Sequence, residues 1–297
     1  MRKFAQQSPA MQALAHLLES DPGERRIPAL GCQESLPGGV AALQRARRVI
    51  LISGFYIGRV RAWETDGPLG TLILADALER QGVTASIFTD EGALPIFQRG
   101  RRLLDLGCDI RGFSPGAVEA DGLLSQLQPD LLIAIERTGR AQDGCYYNAN
   151  GDDVTQDVAH FDDLFLAAMQ AGVETIAVGD GGNELGFGQR RSEAERLLGE
   201  AAHIACATPA TYLLPCGVSN WGGYALAAAI SGRASPDELR SEIVLGTLLT
   251  EIVAAGAVDG VSGRRSPTVD GLPTEVELTM YRKLMQERPL SQSRFVG

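Results

Sequence analysis

Between residues 49 and 178 the chain repeats one pattern: a short apolar run, a polar break, then a longer segment of helical period. The runs at 49–53 (VILIS), 83–88 (VTASIF), 109–113, 131–135 (LLIAI) and 173–178 (VETIAV) read as strands. Their near-continuous apolar character is that of strands covered on both faces. The segments 69–81, 94–106 and 161–170 read as helices. The first has Thr65 or Asp66 as its cap and Pro68 in its first turn, where a missing N–H is harmless. Strands alternating with helices predict βαβ units with right-handed crossovers. The expected fold is therefore α/β, a doubly wound, mainly parallel sheet with helices on both faces. Beyond it the pattern changes: 203–207 reads as one more strand, and 221–231 and 236–255 as helices, which gives a mainly helical C-terminal portion. No Pro- or Ser-rich linker and no internal repeat divides the chain. The expected organisation is an N-terminal helical extension over 1–29 and a single domain over 30–290.

Parallel strands deliver their following loops to one edge, where open α/β proteins bind ligands. Four loops after strands combine glycine with polar side chains. They are 53–68, with Glu64, Thr65 and Asp66; 136–148, with Glu136, Arg137, Asp143 and Asn148; 179–184; and 217–223, with Ser219, Asn220 and Trp221. The third, Gly179-Asp180-Gly181-Gly182-Asn183-Glu184, has the glycines of a nucleotide loop without its spacing. A G-x-G-x-x-G starting at Gly179 needs glycine where Glu184 stands, and no P-loop lysine follows. Its carboxylates would repel a pyrophosphate, so no nucleotide cofactor is expected. Asp180, Asn183 and Glu184 instead suit a hard divalent cation with oxygen ligands.

Plainer readings stand beside these. Asp66 can be a helix cap, and so can Ser219 or Asn220 for the helix near Trp221. Arg137 can be an ion-pair partner of Glu136 or Asp143. Tyr146, Tyr147, His160 and His203 read as packing or surface residues. The turn-like segments 257–261 and 268–273 read as connectors.

The 297 residues carry a formal net charge of −10, which argues against nucleic acid or an anionic membrane as partner. No apolar run approaches the length of a membrane span, and no secretory signal is evident at the N-terminus. Cys32, Cys108, Cys145, Cys206 and Cys216 form no C-x-x-C pair. Such an odd, scattered set fits reduced thiols and a cytoplasmic location. Neither these nor the few histidines offer zinc spacing. The expected partner is a small molecule, and the sequence leaves room for a homo-oligomer.

The polar loops together resemble the D-glutamate cyclase family: the cyclase domain at the C-terminal end of the mammalian enzyme, found alone in many bacterial proteins. The resemblance rests on six motifs in order over roughly residues 30 to 285. They are Glu64-Thr65-Asp66-Gly67-Pro68; Glu136-Arg137-x-Gly139-Arg140-Ala141-x-Asp143-Gly144-x-Tyr146-Tyr147-Asn148; Asp162-Asp163-Leu164-Phe165; the 179–186 loop; Val218-Ser219-Asn220-Trp221-Gly222-Gly223; and Thr268-Val269-Asp270-Gly271-Leu272-Pro273. Membership implies conversion of D-glutamate to 5-oxo-D-proline with loss of water, a hydro-lyase reaction aided by manganese or magnesium.

That chemistry suggests roles for the loop residues. The amine must lose a proton before it attacks, and the γ-carboxylate must be neutralised before its oxygen leaves. Asp180, Asn183 and Glu184 are the expected metal ligands. Glu184, Asp143, Glu136 and Asp180 are the candidate catalytic acids. Arg137 is the expected clamp for the α-carboxylate, helped by Asn148, Ser219, Asn220 and Asp66. Trp221 would wall off water. A metal-assisted amide or lactam hydrolase would use the same acids, whereas a non-catalytic amino-acid-binding module would need a ligand pocket without a poised base and acid.

Overall fold

The computed structural model describes residues 8–231 and 240–287. At its centre is a six-stranded sheet, every neighbouring pair parallel. The strands are β1 (Arg48–Gly54), β2 (Thr84–Asp90), β3 (Asp109–Phe113), β4 (Leu131–Arg137), β5 (Glu174–Gly179) and β6 (Tyr212–Pro215). Across the sheet they run β3-β2-β1-β4-β5-β6, the order of doubly wound dinucleotide-binding sheets. In such a sheet the ligand crevice opens where the winding reverses, here between the carboxyl ends of β1 and β4.

The helices are α1 (Pro9–Leu18), α2 (Leu36–Arg45), α3 (Pro68–Arg80), α4 (Leu94–Leu104), α5 (Ala120–Leu127), α6 (Phe161–Gln170), α7 (Arg191–Leu198), α8 (Ser219–Ser231), α9 (Glu242–Ala254) and α10 (Thr274–Gln286). Side-chain alternation along each strand sorts them into two layers. Val49, Leu51, Ile87, Ile133, Ile135, Val178 and Leu214 share a core with Leu14, Leu36, Leu72, Phe97, Leu226, Leu248 and Leu284, from α1, α2, α3, α4, α8, α9 and α10. Ile50, Ile52, Phe88, Leu132, Ala134, Ala177 and Leu213 face a second core with Leu124, Phe165 and Ala194, from α5, α6 and α7.

Helix α8 is buried on all sides of its length from Ser219 to Ala229, and its fit against α3 depends on glycine. A Cβ at Gly223 would lie 2.6 Å from the backbone of Gly70, and one at Gly70 would lie 2.7 Å from the Asn220 carbonyl oxygen. This close crossing carries the N-terminus of α8 to the β1/β4 crevice.

Two sequence expectations change. Residues 199–204 form a 3-10 turn, and the sixth strand is β6. Pro215 ends this strand, a position proline tolerates at a sheet edge. Helix α9 starts at Glu242, where Ser241 Oγ accepts the Val244 N–H at 3.3 Å. Residues 236–239 of the expected helix lie outside the described residues. No described helix is long and apolar enough to cross a membrane.

Glu277 on α10 is buried and accepts bonds from Trp221 Nε1 and Tyr224 OH, both at 2.8 Å. Trp221 therefore faces the core and walls off no part of the crevice. Burial pushes the Glu277 carboxyl up to about 7, although the two donors pull the other way. A proton held more tightly in the native state stabilises the fold below the group's ordinary value, 4.5. That contribution is lost as pH rises from there through about 7. Glu277→Gln should match the wild type at low pH and exceed it above neutrality, by roughly 3 kcal/mol. Thermal melts across this range check it; parallel wild-type and variant curves would refute it.

Candidate active site

The site is built where β1 and β4 part. Their register pairs Ser53 with Ile135 and then Gly54 with Arg137, which leaves Glu136 bulged out of the ladder. Glu136 has φ +45°, a left-handed conformation that costs an ordinary residue about 1–2 kcal/mol. Bulges re-aim side chains, and this one sends two neighbours in opposite directions. Glu136 turns toward the start of α8, where Ser219 Oγ donates to its Oε2 at 2.5 Å. Arg137 goes into the second core, over the Phe161 ring at 4.8 Å. There it forms a two-pronged ion pair with Asp90 and donates to the Gly54 and Ala159 carbonyls at 3.0 and 2.6 Å. Arg137 is thus enclosed, and the structure corrects its expected role as a substrate clamp.

Asp66 is a cap, but for a distant helix. Its carboxylate accepts the N–H groups of Ser219 at 2.8 Å and Asn220 at 2.7 Å, at the start of α8, as well as that of Gly67. Helix α3, which Asp66 was expected to cap, begins at Pro68 without a side-chain cap. Asn220 Oδ1 accepts the Gly70 N–H at 2.8 Å, so this side chain ties the two helices together. Ser219 and Asn220 lie inside α8 and are not its caps.

The 179–184 loop does not lead into a helix. After β5 the chain returns along β4, with the Leu185 N–H donating to the Arg137 carbonyl at 2.7 Å and the Gly139 N–H to that of Asn183 at 2.9 Å. Glu184 folds over its own loop and accepts the N–H groups of Asp180, Gly181 and Gly182 at 3.3, 2.6 and 2.7 Å. Asn183 Nδ2 donates to the Tyr147 carbonyl. Glu184 and Asn183 therefore brace the loop and also line a cavity, whereas the buried Asp180 is not part of that lining.

Asp66, Glu136 and Asp180 come together. One carboxylate oxygen from each lies within 4.8 Å of the others, all three residues buried. Asp180 Oδ1 meets the Arg25 guanidinium at 2.7 Å, while Asp180 Oδ2 is buried without a hydrogen-bond partner. Hard oxygen ligands in this disposition suit a divalent cation. Glu64 and Asp270 complete the acidic wall. Arg25 also binds Asp270, at 2.7 Å. Burial pushes the carboxyls of Glu64, Asp66, Glu136 and Asp180 well above their usual range. Neighbouring acids add to this at Glu64, Asp66 and Glu136, and Arg25 opposes it at Asp180.

A cavity of about 320 Å³ opens onto the wall, lined by Arg25, Arg59, Glu64, Glu136, Asn148 and Asn183 among others. Asn148 Oδ1 accepts the N–H groups of Asn150 and Asp152, which shapes the rim. Asp143 is not part of this group. It is exposed and bonds Tyr147 OH and the Cys145 N–H beside a separate surface hollow. His160 stacks on Tyr146 at 4.5 Å, a packing role.

Arg25, Glu64 and Asp270 were not assigned from the sequence. Glu64 stands two residues before Asp66, bridged to Val258 just ahead of the turn that holds Asp66. Asp270 sits in a two-stranded turn of 268–273, the expected connector, held over the site by Asp259. That carboxylate accepts the Ser262 and Gly271 N–H groups at 2.6 and 2.7 Å. Nothing near Arg25 in the sequence marks it.

A family model described as "D-glutamate cyclase-like, C-terminal" matches residues 14–285. The chain belongs to this family. It is 33% identical over 309 aligned positions to "D-glutamate cyclase, mitochondrial" of Homo sapiens, an alignment that covers 90% of this chain and 50% of the human protein. The chain thus spans about half the length of that relative. In this cyclase-like fold the matched region contains every acid of the wall, together with Arg25.

Proposed function

We propose that the protein is a hydro-lyase that closes D-glutamate to 5-oxo-D-proline and water. The substrate follows from the name of the human relative. The observation that carries the chemistry is the buried meeting of Asp66, Glu136 and Asp180 beside a cavity that Glu136 and Arg25 line.

The reaction forms a C–N bond from the amine to the γ-carbon and breaks a C–O bond there. The ammonium gives up its protons, and the departing oxygen leaves with them as water. An acceptor and a donor are needed together, and no outside proton is consumed. Acids whose affinity for protons is raised by burial serve both purposes near neutrality. Glu136 lines the cavity and is held by Ser219 Oγ, so we assign it the proton exchange.

Manganese or magnesium fits between Asp66, Glu136 and Asp180, because the donors are all carboxylate oxygens and Asp180 Oδ2 has no other partner. Such an ion would draw charge from the γ-carboxylate and polarise its carbonyl. Holding the substrate folded lowers the barrier further, within the ~7–11 kcal/mol that ideal intramolecular geometry offers.

Purified protein should convert D-glutamate to an equal amount of 5-oxo-D-proline, followed by chiral chromatography with magnesium, manganese or EDTA. Tight D-glutamate binding without conversion in either direction would reduce the protein to a binding module.

A further inference from the structure

We propose that Arg25 receives the substrate's α-carboxylate, exchanging its internal partners Asp180 and Asp270 for the charges that the substrate brings. The inference rests on the D-glutamate reading above.

Without substrate, the Arg25 guanidinium spans two acids, with Nη1 on Asp180 Oδ1 and Nη2 on Asp270 Oδ1, each at 2.7 Å. Each acid keeps its second oxygen buried and without a hydrogen-bond partner. The fork that would bind a carboxylate in bidentate fashion is thus divided between two residues, neither of which is fully satisfied. The Arg25 side chain is the cavity-facing member of the trio, 22% exposed against 0% for Asp180 and 3% for Asp270. The other arginine in the lining, Arg59, gives its guanidinium to the Gly260 and Val261 carbonyls.

An α-amino acid carries a carboxylate and an ammonium on one carbon. Its carboxylate can take the Arg25 fork while its ammonium takes the oxygens released on Asp180 and Asp270. The amino-acid head adds one charge of each sign, so the exchange leaves the balance around Arg25 as it was. It also brings the reacting amine to Asp180, one of whose carboxylate oxygens lies within 4.8 Å of one on Glu136, the acid assigned the proton exchange.

The backbone beneath Arg25 is built to present this side chain. Glu24 and Arg26, on either side, both have left-handed φ, +54° and +68°. The Asp21 carboxylate accepts the N–H groups of Arg25 and Arg26 at 2.9 and 2.8 Å. Upstream, the Leu18 carbonyl accepts the Gly217 N–H, and a Cβ at Gly217 would fall 1.8 Å from the Ser20 carbonyl oxygen.

The test pairs Arg25→Lys with D-glutamate and its α-amide, D-isoglutamine, which keeps the amine and the γ-carboxylate. In the wild type the amide should be disfavoured by about tenfold or more in kcat/KM, as expected for loss of a charged hydrogen-bond pair. In Arg25→Lys the KM for D-glutamate should rise about tenfold with kcat changed far less, and discrimination against the amide should shrink to about threefold or below. If the lysine variant does not fold, the charge-balanced pair Arg25→Gln with Asp270→Asn should show the same loss of discrimination. Full discrimination retained in a folded variant, while the wild type converts D-glutamate, would overturn the role of Arg25 and leave the cyclase reading standing. A wild type that neither converts D-glutamate nor opens 5-oxo-D-proline would overturn both.

Discussion

Glu136→Gln should lower kcat for D-glutamate by about 10²–10⁴-fold, the usual weight of a general acid or base. The replacement keeps the shape of the side chain and an oxygen for Ser219 Oγ, so the bulge should survive and the fold with it. What disappears is the capacity to take and return a proton. Asp180→Asn should behave differently, because Asp180 is absent from the cavity lining and offers its oxygen to the cluster with Asp66 and Glu136. There we expect a higher divalent-ion concentration for half-maximal rate. Ion binding itself should release protons in a weakly buffered titration, since Asp66, Glu136 and Asp180 hold theirs well above the usual range. Steady-state rates over a manganese series measure both effects. Turnover within about threefold of wild type in Glu136→Gln would place the proton exchange elsewhere in the wall, with Glu64 next in line.

The parts of this molecule that follow from local pattern were legible. The runs VILIS, LLIAI and VETIAV became β1, β4 and β5 with shifts of a residue or two at their ends, because a strand buried on both faces must be apolar throughout. Their loops gathered at one edge because the strands are parallel. Strand β6 escaped because it is short, lies at the sheet edge and ends in proline. The orientation of Arg137 escaped for a subtler reason: regular alternation puts Glu136 and Arg137 on predictable faces, and a single left-handed residue overrides it. Asp66 was recognisable as a cap from its residue type, whereas the helix it caps lies 153 positions further on. Arg25 and Asp180 are 155 positions apart. No periodicity connects such pairs; the packing of α3 on α8 brings Asp66 to Ser219, and the Leu18 carbonyl bonded to the Gly217 N–H holds the segment that carries Arg25.

The largest effect on stability should come from behind the site. Asp90 and Arg137 are both almost wholly enclosed, at 1% and 0% exposure. Asp90 also accepts the Ala159 N–H at 2.7 Å and Trp63 Nε1 at 3.1 Å, which makes it the hub of a buried network. Asp90→Asn should destabilise the protein by about 3–5 kcal/mol, because it leaves a guanidinium buried without its counter-charge. Arg137→Met should cost less. An orphaned carboxylate can take up a proton, whereas a guanidinium has no such escape. The double replacement should recover part of the loss, and the resulting cycle measures the coupling of the pair. Denaturant unfolding followed by tryptophan fluorescence and circular dichroism gives the numbers. The same variants test the link to function, since Arg137 fixes the Gly54 carbonyl and so the bulge that aims Glu136. If the pair anchors that bulge, D-glutamate turnover per folded molecule falls together with stability in Asp90→Asn. A cost below about 1 kcal/mol would mean that the pair adds no more than an exposed salt bridge, and the aim of Glu136 would then have to rest on Ser219 and the backbone alone.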